Sequence, residues 1–260
     1  MLNKYHFLAA LLLVSALTAC DESIYDTTNP APLPITTADV VTGSGDVTTS
    51  VANFRIVLGE PRNGGTVGPA TSGRREVNWD GVPSQFNNAD NRFPADFFNT
   101  NVKLGLVLST SGSGFRNDTT LFGDLSPALV GEFAAFSPNK IFSPSGANVI
   151  DVQFRRAGEA TTGVVAGFGA VFVDVDVANR TTLEFFDRAG KSLGTLIVPV
   201  RSGATALSFA GARFPSPLVA SVRITLGTGA LISGLKDISS GGTVDAVALD
   251  DFLYTEPQPL

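Results

Sequence analysis

From Val51 onward, short apolar runs alternate with clusters of Gly, Pro, Asn and Ser. The runs are Phe54–Leu58, Val102–Leu108, Val149–Phe154, Val164–Val177, Thr182–Phe186, Ser192–Val198, Ala204–Phe209, Val219–Leu226 and Val244–Tyr254. All are short and rich in Val, Ile, Phe and Thr, which predicts β-strands bounded by turns. The segment Asp187–Gly190, between LEFF and LGTLIV, reads as a hairpin turn closed by glycine. No stretch of a dozen residues carries a helical period. Pro127–Phe133 is the best helical candidate, and it is short. Regular strand spacing without intervening helices predicts an all-β fold, an antiparallel β-sandwich of jelly-roll type over residues 51–256.

Between Glu60 and Asn101 the rhythm breaks, giving a long irregular loop region before the main strands. It contains RNGGTVGPATSGRRE and VNWDGVPSQFNNADNRFPADFFNTN, with the only tryptophan of the chain. Long loops of this kind are uncommon in compact domains and often functional. Phe86, Phe93, Phe97 and Phe98 are expected to pin the loop onto the sandwich edge. Trp79, Arg74 and Arg75 are the candidate ligand-binding residues. The arginines could take a carboxylate or sulfate of an acidic glycan, or else be solvated or balance nearby acids.

The N-terminal segment MLNKYHFLAALLLVSALTAC has a different pattern. Lys4 precedes an apolar run from Phe7 to Val14, and small residues lead to Cys20. The run falls short of the about 20 apolar residues that span a bilayer and fits a secretory signal peptide. Leu17-Thr18-Ala19-Cys20 resembles the bacterial lipobox, which implies cleavage after residue 19 and lipidation of Cys20, the only cysteine. Acyl chains contribute roughly 0.8 kcal/mol per buried CH₂, enough to anchor a domain in the membrane. Residues 20–50, rich in Thr, Pro, Asp, Ser and Gly, read as a flexible tether, with an edge strand possible at 38–41. The expected location is the bacterial cell envelope, lipid-anchored, on the periplasmic or cell-surface side.

Removal of residues 1–19 changes the available chemistry. It takes Lys4, leaving 17 Lys and Arg against 24 Asp and Glu, and it takes His6, the only histidine. Without histidine or a free thiol there is no Ser-His-Asp or Cys-His nucleophile, no His-ligated zinc and no disulfide. A metal would have to bind through oxygen, which points to a hard cation such as Ca²⁺. No basic cluster exists to meet phosphates, so nucleic acid is not an expected partner. The glycines of GFGAVF are not followed by a helix, so no nucleotide is expected either.

VNWDGVP near residue 80, GFGAVFVDVD, TTLEFFDRAGKSLGTLIVPV, LSFAGARF, VRITLG and VDAVALDDFLY carry a resemblance. Over roughly Val77 to Tyr254 the chain resembles uncharacterised bacterial secreted proteins of the PEP-CTERM-associated type. Those look like jelly-roll sandwiches related to galactose-binding and carbohydrate-binding modules. The resemblance implies binding rather than catalysis, with a glycan or an envelope protein as partner.

In carbohydrate-binding jelly rolls a structural Ca²⁺ commonly sits where an N-terminal loop meets the last strand. By that likeness the metal ligands are Asp250 and Asp251 on the last strand, with Asn78 and Asp80 from the loop. Strand alternation puts Asp250 and Asp251 on opposite faces, so the bland alternative is one acid in solvent and the other paired with an arginine. Asp174 and Asp176 share a strand face at a separation of roughly 6.5–7 Å, the spacing of an inverting glycosidase pair. A carboxylate-dependent glycoside hydrolase is therefore the catalytic alternative, and a purely structural envelope-assembly protein is the other. An acidic outer face of a half-exposed strand remains the simpler account of that pair.

Overall fold

The computed structural model describes residues 33–259. The signal peptide and Cys20 lie outside the described residues. In chain order the elements are β1 (Asp39–Gly45), α1 (Thr48–Leu58), β2 (Arg74–Val77), α2 (Phe97–Thr100), β3 (Leu106–Ser109), β4 (Gly114–Asp118), β5 (Ile141–Ser145) and β6 (Val149–Phe154). They continue with β7 (Gly163–Val164), β8 (Gly167–Val173), β9 (Thr182–Phe186), β10 (Ser192–Ile197), β11 (Leu207–Arg213), β12 (Ser221–Thr225), β13 (Ala248–Thr255) and β14 (Gln258–Pro259). The strands form an antiparallel β-sandwich. One sheet runs β1-β11-β8-β13-β5-β4, with β2 also on β13, and the other runs β10-β9-β12-β6-β3.

Core residues explain the layering. Phe168, Ala170 and Phe172 of β8, with Leu249, Phe252 and Tyr254 of β13, face Ile150, Val152, Phe154, Leu183, Phe185, Val222 and Ile224 of the smaller sheet. The opposite face of the larger sheet is also covered. There Val171, Val173, Phe209 and Leu253 pack under Val51, Phe54 and Leu58 of α1 and under Phe122 and Phe133. Burial on both faces is why GFGAVFV reads as an unbroken apolar run, whereas β6, buried on one face, alternates.

Two expectations need correction. The tether ends earlier than expected: the edge strand left open at 38–41 is present as β1, which pairs with β11 along its whole length, and α1 begins at Thr48. The apolar side chains there are few because an edge strand packs on one side only. Residues 54–58 are helix, not strand. Val51, Phe54 and Leu58 recur at helical spacing and are the buried positions, while Ile56 stands 78% exposed. Within five residues, helical and strand periods cannot be told apart. Pro127–Gly131 forms only a short 3₁₀ turn.

Gly211 and Gly169, paired across β11 and β8, form the seat for the Phe54 ring. A Cβ on Gly211 would lie 2.7 Å from Phe54 Cζ. Gly211→Ala is therefore expected to cost about 1–3 kcal/mol in urea denaturation through overpacking. The cost should shrink in a Phe54→Leu background, because the clash is with that ring. An equal cost in both backgrounds would place the strain elsewhere.

Candidate metal centre

At one end of the sandwich, carboxylates from three distant parts of the chain converge. Glu132 follows the Pro127–Gly131 turn, Asp174 and Asp176 follow β8, and Asp237 and Asp245 lie in the long β12–β13 connection. β8 stops at Val173 because Asp174 adopts φ +68, which turns the chain. The turn ends strand alternation at that point, so Asp174 and Asp176 are not successive positions on one strand face. The long connection is shaped locally by Gly242, where a Cβ would collide with the Lys236 carbonyl, and by Asp237. Asp237 Oδ2 accepts from Ser239 N and Oγ, and its Oδ1 accepts from Ala246 N.

These acids make two overlapping groups, Glu132/Asp174/Asp237 and Asp176/Asp237/Asp245, with oxygens within 4.8 Å of one another in each. Oxygens that each lie at roughly 2.3–2.6 Å from one Ca²⁺ cannot be farther apart than about 5 Å, so both groups match the size of a hard-cation site. Hydrogen bonding separates the two. In the second group Asp245 accepts from Asp176 N and Val177 N at 3.1 Å each, and Arg201 holds Asp176 with Nε at 2.6 Å and Nη2 at 3.2 Å. That group is satisfied by N–H donors and a guanidinium.

The first group is not satisfied. Asp174 is fully buried; Arg201 Nη1 forms an ion pair with its Oδ1, and Oδ2 is left without a partner. Glu132 Oε2 is likewise buried without a partner, while its Oε1 takes Ser240 Oγ. Burial, with the charges of Asp176, Asp237 and Glu132, outweighs Arg201 and pushes Asp174 up to about 8. Burial similarly raises Asp245 to about 6 against the two backbone donors, and it raises Asp176 despite Arg201. Buried acceptors without donors are costly, and a cation removes that cost. The described residues hold no histidine or cysteine, so any ion here is bound by oxygen.

The residues expected from the sequence take other parts. Asn78 Oδ1 accepts from Asp80 N and caps the short turn Trp79–Gly81, and Lys140 Nζ donates to Asp80 O. Asp250 accepts from Phe136 N at 2.6 Å and from Ser137 Oγ at 3.0 Å. Neither acidic group that could hold an ion includes Asp80, Asp250 or Asp251. The expected ligand set does not assemble. Opposite faces for Asp250 and Asp251 is also corrected: Leu249 pairs with Phe172 and Phe252 with Ala170, so a β-bulge sets both acids against Val171 alone. Both are buried on the α1 side of the sheet.

Trp79 is no ligand platform. It is fully buried, stacked on Phe142 at 3.8 Å and ringed by Phe93, Phe98 and Phe252, while Nε1 donates to Asp250 O at 2.8 Å. Arg75 is fully buried, with Nη2 on Glu256 Oε1 at 2.8 Å and carbonyls of Gly64, Val67, Gly68 and Lys103 around it. Arg74 is held by Glu76 and Glu60. These arginines tie the irregular loop to β13 and α1 and leave no guanidinium for a ligand. Phe93, Phe97 and Phe98 are buried as plugs, and Phe86 packs against them partly exposed.

Glu132, Asp237 and Asp245 were not foreseen. No local motif links positions more than forty residues apart, and Asp245 sat inside an expected strand. The one visible signal was acids flanking Gly241-Gly242 in a loop. Searches against protein-family models and against curated proteins find nothing that matches this chain.

Proposed function

We propose that this is a lipid-anchored, extracytoplasmic module of the bacterial envelope, non-catalytic, whose β-sandwich is stapled by a Ca²⁺ ion between Glu132, Asp174 and Asp237. The observation that carries the reading is that Asp174 Oδ2 and Glu132 Oε2 are buried without a partner among five converging carboxylates, of which Arg201 pairs only with Asp174 Oδ1 and Asp176. Ca²⁺ takes six to eight oxygens, so three carboxylates leave room for carbonyls or water. The ion would join the turn after Pro127, the end of β8 and the β12–β13 connection. The lipobox-like Cys20 supports the anchor, and the resemblance to carbohydrate-binding sandwiches supports recognition of a glycan or an envelope protein. A glycosidase role for Asp174 and Asp176 has less support, since Arg201 occupies both acids rather than leaving a cleft for water.

Thermal melting in CaCl₂ and in EGTA tests the reading. An ion at 100 times its Kd adds about 2.7 kcal/mol. A domain of this size moves by about 2–4 °C per kcal/mol, so Tm should rise by roughly 5–10 °C with Ca²⁺. Asp174→Asn, which keeps the shape of the side chain but removes a ligand charge, should abolish the response. Equal midpoints with and without Ca²⁺ would overturn the proposal.

A further inference from the structure

A cavity of about 320 Å³ lies away from the acidic nest, between the end of α1, the turn before β2, the end of β11 and the C-terminal part of β13. It sits at the lower end of the roughly 300–1,000 Å³ of small-molecule sites. Arg213, the last residue of β11, lines it. Its Nε is buried with no hydrogen-bond partner, and among the described residues it makes no ion pair. The other shielded arginines are all engaged: Arg55 and Arg74 with Glu76, Arg75 with Glu256, Arg116 with Asp118, Arg156 with Glu159, Arg155 with Thr162, and Arg201 with Asp176. Arg213 stands apart from that pattern.

The acids in the cavity wall cannot serve it. Glu256 spends both oxygens on Arg75, Asn63 and Ala70 N, and Glu60 pairs with Arg74. Pro215, Pro217 and Leu58 add an apolar wall. The rim carries the hydroxyls of Thr71 and Ser72 and the amide of Gln258. The matching ligand has a carboxylate for the guanidinium, hydroxyl donors for the rim and a C–H face for the prolines. We infer that the Arg213 cavity binds a carboxylate-bearing sugar unit, a hexuronate. The acidic-glycan role that the sequence offered to Arg74 and Arg75 thus falls to a residue it did not single out. This goes beyond the cation-stapled module and does not depend on the ion.

The test is saturation-transfer NMR and calorimetric titration of the folded protein with galacturonate and glucuronate, against galactose, glucose and N-acetylalanine, in both Ca²⁺ and EGTA. The expected result is binding of a uronate, weakened roughly tenfold or more for the matching neutral sugar. Arg213→Gln should abolish uronate binding while its Tm holds or rises, since a buried donor without an acceptor is removed. A lower Tm with uronate binding intact would make Arg213 a structural residue and overturn the proposal. No uronate binding, equal binding of neutral sugars, or preference for N-acetylalanine would each overturn it as well. Because Ca²⁺ and EGTA samples are run side by side, failure of the cation staple is read from melting and failure of the sugar site from titration.

Discussion

Trp79→Ala is expected to lose about 3–5 kcal/mol of folding stability, the range for truncating a large buried aromatic. Set against the typical 5–15 kcal/mol of a whole domain, that leaves a marginal or unfolded protein. The indole is enclosed on every side: stacked on Phe142 with planes 7° apart, edge-on to Phe93, Phe98 and Phe252, and hydrogen-bonded through Nε1 to Asp250 O. Removing it opens a cavity where the irregular loop, β5 and β13 meet, and it strips a buried carbonyl of its donor. Trp79→Phe separates the two effects. It keeps an aromatic ring against Phe142 and should cost less, with about 1–3 kcal/mol from the orphaned carbonyl. Urea denaturation followed by circular dichroism gives both values. A Trp79→Ala protein with a nearly unchanged midpoint would mean that the ring is not part of the core.

The position of Trp79 shows what the sequence could and could not convey. A lone tryptophan in a Gly- and Asn-rich loop has the composition of a binding site, and nothing local says that Phe142, more than sixty residues on, will cover it. Strands whose pattern is local were legible: residues 149–154 and 182–186 are strands as expected. The Asp187–Gly190 turn also holds, with Gly190 at φ +76 and its N–H on Asp187 O. β2, β4 and β5 were not legible, because RREV, GFRND and IFSPS are too polar or too short to register as apolar runs, and β1 was open only over 38–41, because its GSG end carries no apolar side chain. They are strands because neighbouring strands complete their hydrogen bonds. The acidic nest escaped for a related reason, since its members meet only after three loops are brought to one end of the sandwich. Asp174 and Asp176 were visible as a pair, but the left-handed turn at Asp174 was not, and it decides where both point.

The adjacent acids of β13 carry the second large effect. At the β-bulge Asp250 and Asp251 lie buried on one side of the sheet, where the charge of one bears on the other. Phe136 N–H and Ser137 Oγ face Asp250, while Asp251, with Oδ1 unpartnered, feels the charges of Arg55 from α1 and Glu76 from β2. Burial first, and then the neighbouring Asp251, pushes Asp250 from the ordinary 3.8 up to about 8, and burial raises Asp251 too. A folded-state pKa above the unfolded one means that the native protein holds a proton which the unfolded chain has released. The stabilisation is complete below about pH 4 and is lost progressively as pH rises to about 8, at up to about 1.4 kcal/mol per pH unit. Asp250→Asn keeps the shape, can still accept from Phe136 N–H and donates to Asp251 without needing that proton. Denaturation midpoints across pH 4–9, in saturating Ca²⁺ so that the acidic nest is held constant, should therefore fall more steeply for the wild type than for Asp250→Asn. The variant should be the more stable of the two at pH 8. If the curves run parallel, the two carboxyl groups do not share a proton, and the bulge must accommodate both charges by other means.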